Sequence, residues 1–143
     1  MYQLVYVSRA NQDVNLELVN QIVKSAVKRN EEAGLSGFLL FNNKTFLQVL
    51  EGDRIALNQT FLRIARDPKH KDVELMLYRK ISSRDFTEWG LGMASLTKVK
   101  KEIYYKYSRT SEFDPYELTD EGALNLLKEM AEVTGGLNIK GVA

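Results

Sequence analysis

An α+β fold of the ferredoxin-like type, βαββαβ with a fifth strand added, is what this sequence predicts, and three observations carry it. Apolar residues alternate at every second position in several short stretches and recur at every third or fourth in two longer ones, in the order strand, helix, strand, strand, helix, strand. Asn42-Asn43-Lys44 is a tight-turn signal that makes the second and third strands an antiparallel hairpin. Each helix has a stop, Gly34 after the first and Asp67-Pro68 after the second, because proline neither continues a helix nor favours one before it. In this arrangement both helices pack on one side of the sheet, and the first and third strands are central neighbours.

The elements follow in order. Tyr2 to Ser8 alternates as a strand, with Tyr2, Leu4, Tyr6 and Ser8 on one face and Gln3, Val5 and Val7 on the other. A helix is predicted from about Val14 to Ala33, its stripe running Val19, Ile22, Val23, Ala26, Val27 and ending on Asn30. Leu35 to Phe41 and Phe46 to Gly52 are the hairpin strands. Asp53 caps a second helix reaching about Arg66, with Leu57, Phe61, Ile64 and Ala65 as its apolar face. Val73 to Tyr78 forms the fourth strand, and Trp89 to Met93 a short, glycine-interrupted fifth. Val99 to Tyr107 is basic, aromatic and helical, and Thr119 caps a last helix whose stripe is Ala123, Leu124, Leu127, Met130 and Ala131. That stripe has to cover apolar surface, either the far face of the sheet or another subunit. The organisation expected is a domain over 1–97, a helical extension over 98–134 and a flexible glycine-rich tail over 135–143.

Composition removes several chemistries. The 143 residues include no cysteine and a single histidine, His70, which excludes disulfides and thiolate chemistry and leaves almost nothing for a zinc site or a Ser-His-Asp triad. Gly34-Leu35-Ser36-Gly37 and Gly90-Leu91-Gly92 lack the spacing of a phosphate loop. A net charge of +1 gives no electrostatic footprint for nucleic acid or an anionic membrane. The interleaved Lys and Tyr of residues 100–107 fit a solvated or interface helix better than a nucleic-acid contact. No apolar run approaches the roughly 20 residues that span a bilayer, and the first residues do not read as a signal peptide, so the expected location is cytoplasmic.

Four groups stand out at core-facing positions: Tyr6, Asn30, Gln48 and Trp89. Gln48 lies in an apolar row between Phe46 and Leu50, and leaving a buried amide unpaired costs roughly 1–3 kcal/mol. It is either a structural glutamine bonded to neighbouring backbone or an amide aimed at a ligand's polar edge. Asn30 is open in the same way, as a helix-end cap or as a second group turned toward whatever Gln48 faces.

The set resembles the BLUF family, blue-light sensors that use flavin. The matching motifs are Leu4-Val5-Tyr6-Val7-Ser8, Arg29-Asn30 followed by Gly34-Leu35-Ser36-Gly37, Phe46-Leu47-Gln48-Val49-Leu50-Glu51-Gly52 and Arg63-Ile64-Ala65-Arg66-Asp67-Pro68-Lys69-His70. Lys106-Tyr107-Ser108 and Phe113-Asp114-Pro115 resemble the C-terminal helical region of short stand-alone members, which would cap the other sheet face. The resemblance implies a flavin between the two helices, FAD in most members, with FMN or riboflavin as alternatives. Ile22 and Ile64 match the residues that wedge its ring, and Asn30 and Gln48 those that meet its polar edge. Arg29, Leu35, Arg63, Asp67, Lys69 and His70 match further cofactor-binding positions. Tyr6 matches the electron donor to the photoexcited flavin, and Gln48 the amide whose rearrangement shifts the spectrum to the red. Trp89, Leu91 and Met93 fall on the strand tied to the photoresponse; the family usually has Met two residues after the Trp, where this chain has Leu91.

The function expected is thus a non-enzymatic photoreceptor that changes a protein–protein interface, with a downstream signalling protein as partner and a homo-oligomeric state. Two other readings remain: a light-insensitive flavin-binding module, and an acylphosphatase-like enzyme on the same scaffold. For the latter, Ser8-Arg9-Ala10-Asn11 is a poor anion loop.

Overall fold

The computed structural model describes residues 1–12, 14–87, 92–95, 101–110 and 112–134. Its elements are β1 (Tyr2–Ala10), α1 (Leu16–Glu32), β2 (Ser36–Phe41), β3 (Thr45–Gly52), α2 (Arg54–Arg66), β4 (His70–Lys80), β5 (Gly92–Ser95), α3 (Lys101–Tyr105) and α4 (Asp120–Val133). The strands form one sheet in the order β4-β1-β3-β2-β5. All pairings are antiparallel except that of β5, which runs parallel to β2 and places Met93 opposite Leu39. The ferredoxin-like expectation holds, with the added strand at the β2 edge.

Local signals account for the boundaries. Asn15 and Asp53 cap α1 and α2 by accepting hydrogen bonds from Leu18 N and Ile55 N. Gly34 takes a φ of 72°, the left-handed turn by which the chain leaves α1. In the β2–β3 turn the Asn42 carboxamide oxygen accepts from the backbone of Lys44 and Thr45. At Gly37 a methyl group would lie 2.1 Å from the Val49 carbonyl oxygen, so only glycine lets the hairpin strands approach there.

Alternation sorts β1 and β3 between two cores. Leu4, Tyr6, Phe46 and Leu50 face α1 and α2, packing with Val19, Val23, Val27 and Leu57. Val5, Val7, Leu47 and Val49 face the other way, onto Leu124, Leu126, Leu127 and Met130 of α4 and onto Ile103 and Tyr104 of α3. Of the two covers open to the α4 stripe, the sheet face is the one used. Burying each of these large apolar side chains contributes on the order of 1.5–3 kcal/mol.

Three expectations need adjustment. The fifth strand, described over Gly92–Ser95, continues two residues past the expected end at Met93; Trp89 and Leu91 lie outside the described residues, as does the 135–143 tail. The buried face of α2 includes Thr60, whereas Ala65 is exposed, because α2 is rotated so that its polar edge flanks a cleft. Finally, β4 is longer than its apolar core, running from His70 to Lys80, since ladder pairing with β1 extends past the partly buried Val73, Met76 and Leu77.

Candidate functional site

Three elements converge on one cleft. Its floor is the even-numbered row of the sheet, Tyr6, Phe46, Gln48 and Leu50, with Leu39 from β2. One wall is a stripe of α1, Ile22, Ala26, Arg29 and Asn30, spaced i, i+4, i+7, i+8. The other is a stripe of α2 and its end, Thr60, Arg63, Ile64 and Asp67, spaced i, i+3, i+4, i+7, with His70 beyond. The cleft encloses about 60 Å³. An outer groove of about 750 Å³ shares Ile22, Arg29, Arg63 and Asp67 with it and adds Gln21, Ser25, Gln59, Arg66 and Lys69.

The floor has a polar centre. Tyr6 and Gln48 are direct cross-strand partners on β1 and β3. Both are buried, and the Tyr6 hydroxyl donates to Gln48 Oε1. This is the only hydrogen bond of the Gln48 side chain among the described residues, so its amide N–H groups remain for another acceptor. Burial, with a smaller contribution from the Asp67 charge, pushes the Tyr6 phenol well above the ordinary tyrosine range. Tyr6 is therefore held as a neutral phenol whose proton points at an amide oxygen. Phe61 meets the Tyr6 ring edge to face, with centroids 5.9 Å apart.

The rim is basic and partly tied down. Arg29, Arg63 and Arg66 are exposed at the outer groove. Asp67 accepts from Lys69 N at 2.9 Å and lies 3.7 Å from Lys69 Nζ. His70 Nδ1 is 2.9 Å from Ser8 Oγ, and its ring packs 5.2 Å from that of Phe46. Burial lowers the His70 pKa, against an opposing pull from Asp67. Asn30 is buried at the head of the α1 wall, where its carboxamide adds donor and acceptor atoms.

A protein-family model described as sensors of blue-light using FAD, BLUF, matches residues 1–92. The chain belongs to the BLUF family. Photoactivated adenylate cyclase subunit beta of Euglena longa is 33% identical over 93 residues, which are 64% of this chain and 11% of that protein. The chain thus spans about a tenth of the length of the first curated relatives it matches. The structure of BlsA in its photo-activated state superposes with a TM-score of 0.80 at 22% identity, over 90% of this chain and 92% of that one. BlrB, a BLUF protein in its dark state, does so with a TM-score of 0.77 at 23% identity, over 93% and 96%. At those identities the likeness speaks to the fold.

FAD is the cofactor of the BLUF family, and the donor set fits it. Two carboxamides at the inner end suit a heterocycle edge that both donates and accepts, and the exposed arginines suit anionic phosphates. Of the residues picked out from the sequence, the cleft brings together Tyr6, Ile22, Arg29, Asn30, Gln48, Arg63, Ile64, Asp67 and His70, and the outer groove takes Lys69. Leu35 lies elsewhere, fully buried in the helix-side core, where its side chain meets Gly52. Met93 is half-buried against that same core from β5. Sequence reasoning passed over Thr60 and Ala26 as site residues, though each sits on a stripe with Ile64 or Ile22 that could have been extended by one turn. The Ser8–His70 pair, 62 residues apart, left no sequence signal.

Proposed function

We propose that these residues form a blue-light photoreceptor whose response begins at the Tyr6–Gln48 hydrogen bond. The single observation behind this reading is that pair: a neutral buried phenol donating to the oxygen of an amide that lines a cleft. When bound, the flavin supplies absorption of blue light and an excited state able to take up an electron. Tyr6 gives up an electron together with its proton, because a phenol held this far above its ordinary pKa does not ionise first. The proton moves along the bond to Gln48 Oε1, and return of the electron and the proton restores the Tyr6 phenol while the amide is left with re-formed hydrogen bonds, by rotation or tautomerisation. Asn30 holds the other polar edge, while Ile22 and Ile64, both half-buried, yield to seat the ring. Arg29, Arg63 and Lys69 meet the phosphates from the outer groove.

In this reading residues 98–134 carry the change to a protein partner, the chain acts as a sensor rather than a catalyst, and it works as a homo-oligomer. Exposed Ile55, Leu62, Leu75 and Tyr78 supply apolar surface for such contacts. The test is an absorption spectrum of the FAD-loaded protein, in darkness and under blue light. Flavin bands that move red and return in the dark support the reading; a yellow protein with unmoved bands refutes it.

A further inference from the structure

The strands that carry Tyr6 and Gln48 on one face carry a second buried polar pair on the other, three rungs away. Gln3 and Glu51 are direct cross-strand partners on β1 and β3, and both are fully buried. Gln3 Nε2 donates to Glu51 Oε2 at 2.7 Å. The same carboxylate accepts from Phe86 N at 2.8 Å and Asp85 N at 3.1 Å, so it clamps the backbone of the segment after β4. Gln3 Nε2 also donates to Asp85 Oδ2 at 2.9 Å, and Gln3 Oε1 accepts from Arg79 Nε at 2.9 Å. Asp85 in turn lies 3.5 Å from Lys128 Nζ, on α4.

A buried carboxylate is expensive unless nearly every lone pair is met. Valine or leucine here would extend the row of Leu47 and Val49 without that requirement. The cluster joins parts that apolar contact alone would leave free to slide: the β1–β3 pair, the 84–86 segment and the C-terminal helix. Apolar packing tolerates small shifts, whereas a filled hydrogen-bond network has discrete arrangements.

We propose that Glu51 and Asp85 are positioning residues of the light response, passing displacement of the β1–β3 pair at Gln48 through the 84–86 segment to Lys128 and α4. The assignment rests on the photoreceptor reading above. A change of hydrogen bonding at Gln48 shifts β3 against β1, and Glu51 moves with it as a rigid part of the strand. Its backbone clamp carries Asp85, and the ion pair carries α4.

The test is hydrogen–deuterium exchange of the full FAD-loaded chain in darkness and under blue light, read at residues 120–133. Wild type is expected to show the red shift and a light-induced change in exchange along α4. Lys128→Met, a half-buried surface change outside the flavin site, is expected to keep the red shift and lose that change, and Lys128→Arg to restore it. Glu51→Gln should behave as Lys128→Met does; if it does not fold, the lysine pair decides. A red-shifting Lys128→Met protein with the wild-type exchange difference overturns the proposal. So does a red-shifting wild type whose α4 exchange ignores light. A wild type that binds FAD without any red shift overturns the photoreceptor reading and this inference together.

Discussion

The two faces of the sheet are built from the same strands and do opposite things. On the α4 side Val5, Val7, Leu47 and Val49 meet Leu124, Leu126, Leu127 and Met130, all buried, and the layer is closed. On the α1–α2 side the same strands offer Leu4, Tyr6, Phe46, Gln48 and Leu50, and the helices stand apart over the polar half of that row. Both faces hold a polar cross-strand pair. Gln3–Glu51 is met on every side by protein, whereas Tyr6–Gln48 has amide donors to spare. Closure by apolar packing and saturation by hydrogen bonds thus mark the face that stabilises; spare donors and a parted wall mark the face that binds.

The contrast can be broken most forcefully from the closed side. Leu126→Ala is expected to lower stability by about 2–5 kcal/mol in denaturant unfolding, since α4 cannot collapse fully into the void. The remaining folded protein should keep its flavin and red shift. Gln48→Leu is the counterpart on the open side. It leaves the Tyr6 hydroxyl without an acceptor, with a stability loss of about 1–3 kcal/mol. Difference spectroscopy should show bound flavin and no red shift. Tyr6→Phe should likewise bind flavin and fail to cycle, and a normal photocycle in that variant would remove Tyr6 from its role. Phe61→Leu loosens the ring that orients Tyr6, with a stability loss of about 0.5–1.5 kcal/mol and an altered rate of dark recovery.

The smallest effect concerns pH, and the faces should differ in sign. On the open side His70 has a folded pKa lowered by burial below its ordinary 6.5, so the unfolded chain takes up a proton first. Its contribution is present above 6.5 and lost as pH falls toward the folded value. On the closed side burial raises the Glu51 pKa above its ordinary 4.5, against the lowering effect of its hydrogen bonds. Its contribution is present below 4.5 and lost as pH rises through the folded value. Melting temperatures measured from acid to neutral pH should show His70→Gln and Glu51→Gln changing the slope in opposite directions. Two slopes changing alike would mean that burial does not dominate at one of the sites.

Much of the site could be read before the structure, for a definite reason. Residues on a strand or helix announce their face by spacing, so Tyr6, Gln48, Ile22, Asn30 and Ile64 could be assigned to one layer from periodicity and the order of elements, while it was the family resemblance that implied cofactor roles for Ile22, Ile64, Arg29, Arg63, Asp67 and His70. Thr60 was missed because a threonine on an amphipathic stripe looks like a boundary residue until the helix rotation is known. Leu35 shows the converse: the family resemblance matched it to a cofactor-binding position, but just before β2 its side chain lies in the core beside Gly52.

Local chemistry therefore determined the order of elements, their caps at Asn15, Asp53 and Thr119, the turn at Asn42, and which residues of each element share a face. These depend on contacts within a few residues or on simple alternation. Tertiary structure decided what α4 covers, how far α2 turns its polar edge toward the cleft, and which polar groups meet across 34 to 82 residues, as Glu51, Asp85 and Gln3 do. Such pairings arise only when strand order and register bring distant segments together, and no spacing along the chain records them.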